Sequence, residues 1–327
     1  MIYLMGIRKL NTLLHKKCSE IIVKYKFEDL RDKTIVIDIS IYLYKFKGHT
    51  NLFGYMYQML LLFKKYNICP IFIFDGKPPD EKKYLLEERK KDKSLYEKKI
   101  KHIEDNIGHS GDFINQNEET QKLHLKLLSL KKKTVRINKY DIKNIKNLFD
   151  LCNIIYLEAD GEADVLCANL VKNNIAWACL SDDTDLFVYN CPRVLRCIDM
   201  INENILFYDT NKILSKLNLN YNEFLMICVA TGTDYLIHKC NKYNINYMIK
   251  LYHEYKNCCN NKIKFYNWLQ DNNIITNSLL LFYIELMYTD ENNNLSKYEK
   301  SFVKKNININ NDDVSKYLVD YNFIFIH

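Results

Sequence analysis

Short apolar runs of strand character recur along the first half of the chain, and they end at acidic residues. KTIVIDIS (Lys33 to Ser40) and CPIFIFDG (Cys69 to Gly76) are rich in β-branched and aromatic residues, and WACLSDDTDLFVY (Trp177 to Tyr189) stops abruptly at Asp182, Asp183 and Asp185. Runs of this length and composition predict buried strands. Between the first two, YMYQMLLLFKKY spaces its apolar positions as a helix does. CNIIYLEADGEADVLCANLVKNNIAWACLSDD repeats the rhythm, with a strand near Ile154 to Tyr156, a helix from about Gly161 and a strand from Ala176 to Leu180. Strands alternating with helices predict an α/β fold on a parallel sheet.

The pattern changes from about Asp80 to Lys146, where charged helical sequence is broken by the polar stretch NIGHSGDFINQN, Asn106 to Asn117. This reads as an insertion standing off the sheet. A hairpin is expected near Met200 to Tyr208, and mostly helix beyond it, with Tyr221 to Ala230 amphipathic and LLLFYIELMY strongly apolar. At the start, Gly6, Ile7, Leu10, Leu13 and Leu14 are helix-spaced, so that MIYL is either an extension or an upstream start. The resulting division is 5–105, 106–150 (an arch continuing from about residue 80), 151–235 and a divergent helical region 236–327.

Composition narrows the class. At 327 residues and 48% hydrophobic, the chain can bury a substantial core. Its eleven cysteines never form a C-x-x-C pair and its eight histidines do not cluster with them, which argues against a zinc site or a disulfide framework and for a reducing, intracellular compartment. No secretory signal or membrane-length apolar run is evident, so a soluble protein is expected, in the nucleus, the cytoplasm or a viral replication site. The net charge is +7, yet Gln121 to Lys146, which includes Lys131, Lys132, Lys133 and Arg136, holds nine Lys or Arg against one acid, Asp141. A polyanion partner and a merely solvated face are both consistent with that stripe.

The acids carry more information. In a parallel sheet the C-terminal strand ends share one edge, where ligand crevices form. Asp38, Asp75 and Asp183 should converge there, joined by Glu162 and Asp164 at the start of a helix and by Asp185. One aspartate at a strand end is commonly a helix cap. Six gathered carboxylates would repel and force protonation unless cations neutralise them. Mg²⁺ and Mn²⁺ prefer such oxygen ligands, and two ions about 4 Å apart can activate water and stabilise a leaving oxygen in phosphodiester cleavage. A calcium site is the other cation reading, although ligands from four distant segments differ from a contiguous loop.

The ordered motifs MGI-x-x-L, VIDISIYLYKF, FIFDGKPP, EADGEAD, SDDTDLF and GTDY resemble those of the flap endonuclease and XPG family of structure-specific 5′ nucleases, a branch of the PIN-like nucleases. The resemblance covers most of Met5 to Asp234. It implies a PIN-like parallel sheet flanked by helices, with a helical arch and a helical C-terminal region. It also implies two Mg²⁺ ions, replaceable by Mn²⁺, one near Asp38, Asp75 and Glu162 and the other near Asp183, Asp185 and Asp234, with Asp164 between them. Lys82 and Arg89 would hold the scissile phosphate as catalytic residues. Tyr44 would stack on a base and Gly6 would lie near the substrate junction, while the arch, with Lys131, Lys132, Lys133 and Arg136, would guide a single-stranded 5′ end.

The activity implied is Mg²⁺-dependent cleavage of DNA bearing a 5′ flap, a gap or a free 5′ end, by a monomer, in replication, repair or recombination. The alternatives are a 5′–3′ exoribonuclease of the same superfamily and a non-catalytic DNA-binding scaffold, whose usual signature is loss of a ligand; none is lost here. Three departures stand out: the extra MIYL, which if retained would crowd the junction beside Gly6; Asp164, one methylene shorter than the family's glutamate; and LIHKCNKYNINYM after GTDY, which lacks the glycine-rich turn that binds duplex backbone and potassium. SKYLVDYNFIFIH carries no recognisable sliding-clamp motif.

Overall fold

Alternation along the strands sorts the core into two layers. Ile35 and Ile37 pack with Phe72, Phe74, Ala178 and Leu180 on one face of a sheet, while Val36, Ile71, Ile73 and Cys179 pack on the other. Both faces are covered, which is why these strands read as continuous apolar runs. The computed structural model describes residues 6–109, 118–235, 243–259, 263–289, 295–302, 307–309, 312–319 and 321.

Its strands are β1 (Val23–Lys26), β2 (Thr34–Asp38), β3 (Cys69–Phe74), β4 (Ile155–Glu158), β5 (Ala178–Leu180), β6 (Arg193–Asp199) and β7 (Asn204–Asp209). They form one sheet in the order β1-β7-β6-β5-β2-β3-β4. From β6 to β4 the pairing is parallel, as expected. The sheet as a whole is mixed, because β7 pairs antiparallel with both β6 and β1. The β6–β7 hairpin lies where its sequence placed it. β1 carries no strand signal beyond four residues, VKYK, and its lysines blunt an exposed edge.

The helices are α1 (Leu10–Lys17), α2 (Ile39–Gly48), α3 (Leu52–Lys65), α4 (Lys83–His109), α5 (Glu118–Thr134), α6 (Lys139–Leu151), α7 (Ala163–Lys172), α8 (Asp185–Val188), α9 (Thr210–Leu217), α10 (Tyr221–Thr231), α11 (Ile245–Cys259), α12 (Phe265–Asp271), α13 (Ser278–Thr289) and α14 (Asp312–Val319). α2, α3, α6 and α14 cover one face of the sheet; α1, α7 and α9 to α13 cover the other. The stretch expected to break the charged insertion at Asn106 instead continues α4 to His109, and its remainder, 110–117, lies outside the described residues, as do MIYL and 236–242. α4 and α5 pair through their own small core of Ile103, Leu127 and Leu130, with Tyr96, Ile100 and Leu123 against it. No described helix is long and apolar enough to cross a membrane.

Candidate active site

The strand order reverses at β2. β3 and β4 continue to one side, whereas the chain returns through β5 and β6 on the other, which is the switch point at which ligand crevices form in such sheets. Asp38 is the last residue of β2 and the N-cap of α2, where its Oδ1 accepts the Ser40 N–H at 3.0 Å. Ser181 Oγ, at the end of β5, donates to Asp38 Oδ2 at 3.1 Å and accepts the Asp183 N–H at 3.2 Å.

Two glycines bring the β3 and β4 exits together. Gly76 N donates to Gly161 O at 2.7 Å, and a Cβ at Gly76 would sit 2.0 Å from the Ala159 carbonyl oxygen. Only glycine permits that approach. Asp75 is thereby set at the start of α7, accepting the Ala163 N–H at 2.9 Å and the Ser40 hydroxyl. Glu162 is the N-cap of α7, and Asp164 lies in its first turn.

Asp183 and Asp185 arrive from the loop after β5, with Asp185 N donating to Asp183 Oδ1 at 3.0 Å. Gly6 closes this loop from the N-terminal side. Its φ is +82°, and a Cβ there would lie 2.1 Å from Thr184 Oγ1 and 2.6 Å from Asp183 Oδ1. Ile7 N donates to the same Thr184 oxygen at 2.9 Å. Gly6 thus packs directly on the acidic loop.

The electrostatics follow from burial and crowding. Asp38 is pushed up to about 7, chiefly by burial and then by Asp75 and Asp183. Asp164 is raised well above the ordinary carboxylate range by burial and by Asp38, Asp183, Glu162 and Asp185. Burial, then Asp183 and Asp234, does the same to Asp185. Asp183 is raised by burial, an effect opposed by the Asp185 N–H, Lys82 and Arg196. Carboxyls so raised gather where a cation is needed to compensate them.

Two cations enter from the insertion. Lys82, in the 3₁₀ turn before α4 rather than on the helix itself, places Nζ 2.6 Å from Glu162 Oε1 and 3.8 Å from Asp234 Oδ2. Arg89, two turns into α4, places Nη2 3.0 Å from the same Asp234 oxygen. Burial disfavours the charge on Lys82, but Glu162, Tyr235 and Asp234 outweigh it and raise its pKa.

The donor set suits a hard divalent ion. It consists of carboxylates with no cysteine or histidine, and Asp164 Oδ1 and Asp185 Oδ1 are buried without a hydrogen-bond partner. Among the described residues no three acidic, histidine or cysteine side chains yet form a ready ligand cage. Ser40, Lys82 and Tyr235 hold oxygens that an ion would need. The neighbouring acids Asp182, Glu158 and Asp160 face elsewhere: Asp182 accepts the Cys197 N–H at 2.7 Å, while Glu158 and Asp160 pair with Lys146 and Lys297.

The remaining expected substrate residues lie above or beside this pocket. Tyr44 is 43% exposed under α4, with Lys93 Nζ 5.1 Å from its ring centre. Lys131 pairs with Glu104 at 2.7 Å and Arg136 with Glu97 at 2.8 Å, and Lys133 lies 5.0 Å from the Tyr96 ring centre, so these cations tie α5 and its exit to α4. Lys132 sits beside Gly48 at the end of α2.

Sequence reasoning missed the groups that hold the acids. Ser40 and Ser181 adjoin Asp38 and Asp183 in the chain, which is a signal of sorts. The buried tyrosines gave none. Tyr235 donates to Glu162 Oε2, its hydroxyl lies 2.9 Å from that of Tyr189, and Tyr288 of α13 donates to Asp185 Oδ2 at 3.4 Å. The rings of Tyr189 and Tyr235 both contact that of Tyr288.

Fold and site together define a PIN-like α/β architecture with an acidic pocket at its switch point. The family model described as XPG N-terminal domain matches residues 5–96, and that described as XPG I-region matches 153–234. The chain belongs to the XPG/flap endonuclease family. It is 28% identical over 280 residues to a probable RAD2-like endonuclease of Invertebrate iridescent virus 6, covering 71% of this chain and 67% of the relative. It is 29% identical over 250 residues to flap endonuclease 1 of Micromonas commoda, covering 71% of this chain but 61% of that one, so it spans only part of such relatives. Solved structures share its fold. The catalytic core of Rad2 in complex with DNA substrate superposes with a TM-score of 0.59 at 17% identity, covering 97% and 94% of the two chains. Flap endonuclease-1 from Methanococcus jannaschii gives 0.56 at 20% identity, covering 92% and 96%.

Proposed function

We propose that this protein is a metal-dependent, structure-specific 5′ nuclease that hydrolyses DNA. The observation that carries the reading is the meeting of Asp38, Asp75, Glu162, Asp164, Asp183, Asp185 and Asp234 around one crevice, faced by Lys82 and Arg89 from the base of the insertion. Asp38, Asp75 and Glu162 would hold one Mg²⁺ and Asp183, Asp185 and Asp234 a second, with Asp164 between them. Bound there, the ions would supply Lewis-acid stabilisation of phosphoryl oxygens and a water of lowered pKa.

The chain's own groups account for the rest. Lys82 and Arg89 bring two positive charges against the acids from the base of the insertion, where a scissile phosphate would sit and where charge grows in the transition state. Tyr44 presents a partly exposed ring beneath α4 on which a terminal base can stack. The basic α4–α5 pair offers a sequence-independent track for a single strand. A 5′ flap, a gap or a free 5′ end is the substrate class that fits such a track leading to one pocket.

Purified protein with Mg²⁺ should cut 5′-flap or recessed-end DNA, and Asp183→Asn should lower the rate by about 10² or more. Flaps labelled at either end separate endonucleolytic from exonucleolytic products, and an RNA substrate in parallel tests the choice of nucleic acid. No Mg²⁺-dependent cleavage of any of these, or equal rates for the variant, would refute the reading.

A further inference from the structure

The two cations of the pocket engage different atoms from those left bare. Lys82 is only 8% exposed, and its Nζ lies 2.6 Å from Glu162 Oε1, 3.8 Å from Asp234 Oδ2 and 4.8 Å from the ring centre of Tyr235. Arg89 shares Asp234 Oδ2 at 3.0 Å. One expected ligand on each side of the pocket is therefore already neutralised by the chain, whereas Asp164 Oδ1 and Asp185 Oδ1 are buried and bare. A carboxylate oxygen that accepts from an ammonium keeps a second lone pair, but the tethered positive charge beside it lowers its attraction for a divalent ion.

We propose that Lys82 and Arg89 are resident counter-ions of the metal-free pocket, which divalent ions displace from Glu162 and Asp234 as they load. This rests on the nuclease reading for its biological use, since the displaced cations are then free to meet a substrate phosphate. The physical basis is competition. Crowded acids in a poorly solvated pocket need positive charge, and tethered side chains supply it in the absence of metal. Because the two kinds of cation compete for the same oxygens, removing the tethered one must tighten binding of the other, and the coupling is reciprocal. Order of events follows as well: the groups that would grip the phosphate stay tied down until the pocket is loaded.

The test uses the full chain with Lys82→Met, which keeps most of the apolar stem, and Arg89→Met. Mn²⁺ binding is measured by the loss of the free-ion electron paramagnetic resonance signal, and melting temperature is measured in EDTA and at saturating Mn²⁺. Lys82→Met is expected to bind Mn²⁺ about tenfold more tightly than wild type, and Arg89→Met about threefold. Both should melt below wild type in EDTA, with the deficit closing at saturating Mn²⁺. Unchanged or weaker Mn²⁺ binding, or a melting deficit that persists with metal, would overturn the proposal and make Lys82 a fixed structural ion pair. Should Lys82→Met fail to fold, Arg89→Met decides by the same criteria, since Arg89 is more exposed. Cleavage by wild type is scored separately, so an inactive protein that still shows this competition would cost the nuclease reading and leave the counter-ions standing.

Discussion

Gly6 and Thr184 show how little room the acidic loop has. Gly6 occupies a left-handed φ of +82°, and any Cβ there would overlap Thr184 Oγ1, Asp183 Oδ1 and Asp185 Oδ1. Gly6→Ala therefore combines backbone strain with a steric push on two expected metal ligands. It should cost about 1–3 kcal/mol of stability, read from the urea midpoint, and should weaken Mn²⁺ binding in the same protein. Loss of stability without loss of metal affinity would mean that the loop yields elsewhere. The serines act on the same scale with the opposite effect: Ser40 donates its N–H to Asp38 and its hydroxyl to Asp75, and Ser181 donates its hydroxyl to Asp38 while accepting the Asp183 backbone N–H, so donors on the two serines offset part of the negative charge on Asp38 and Asp75.

At the scale of elements, α13 links the C-terminal half of the chain to the pocket. Tyr288 near its end reaches Asp185 and meets the ring of Tyr189 at a tilt and that of Tyr235 edge-on, so a helix beyond the matched family regions contributes to the setting of two acids. One turn earlier, Glu285 is partly buried, and burial raises its pKa despite the opposing effects of Tyr266 and Lys264. A carboxyl whose folded pKa exceeds its unfolded value binds its proton more tightly when folded. Its contribution to stability is then present below the unfolded pKa and is lost as pH rises through the folded one. Glu285→Gln removes that dependence. Melting temperatures between pH 4 and pH 8 should show the variant gaining on wild type as pH increases, and a constant difference would refute the assignment.

Across the whole molecule, the sheet brings together charges that the separate segments would keep apart. Its order reverses at β2, so strands from before and after the insertion deliver their terminal acids to one crevice, and two helical layers close over both faces. Burial amplifies that repulsion, and Asp164 is the clearest case because its Oδ1 has no hydrogen-bond partner. Asp164→Asn should raise the stability of the metal-free protein at pH 8 by about 0.5–2 kcal/mol while reducing cleavage and shrinking the stabilisation by Mg²⁺. Thermal melts in EDTA and in Mg²⁺ check both parts, and a destabilised variant in EDTA would show that repulsion among the acids is outweighed there by contacts the carboxylate makes.

The primary sequence determined the strands β2 to β5, the hairpin, the insertion and the convergence of Asp38, Asp75, Asp183, Glu162, Asp164 and Asp185, because strand periodicity and strand-end position are local properties and a parallel sheet gives them a common edge. Asp234, Lys82 and Arg89 came only through the family motifs, since nothing in their own spacing sets them apart from other polar positions. Tertiary structure alone decided which oxygens are taken and which are bare. Asp182, Glu158 and Asp160 lie in the same motifs as the clustered acids yet turn to Cys197, Lys146 and Lys297. Tyr288, more than a hundred residues from Asp185, meets it through the packing of α13. The choice of partner for a side chain depends on what the rest of the chain brings within about 3 Å, and that information is distributed over segments that no local pattern joins.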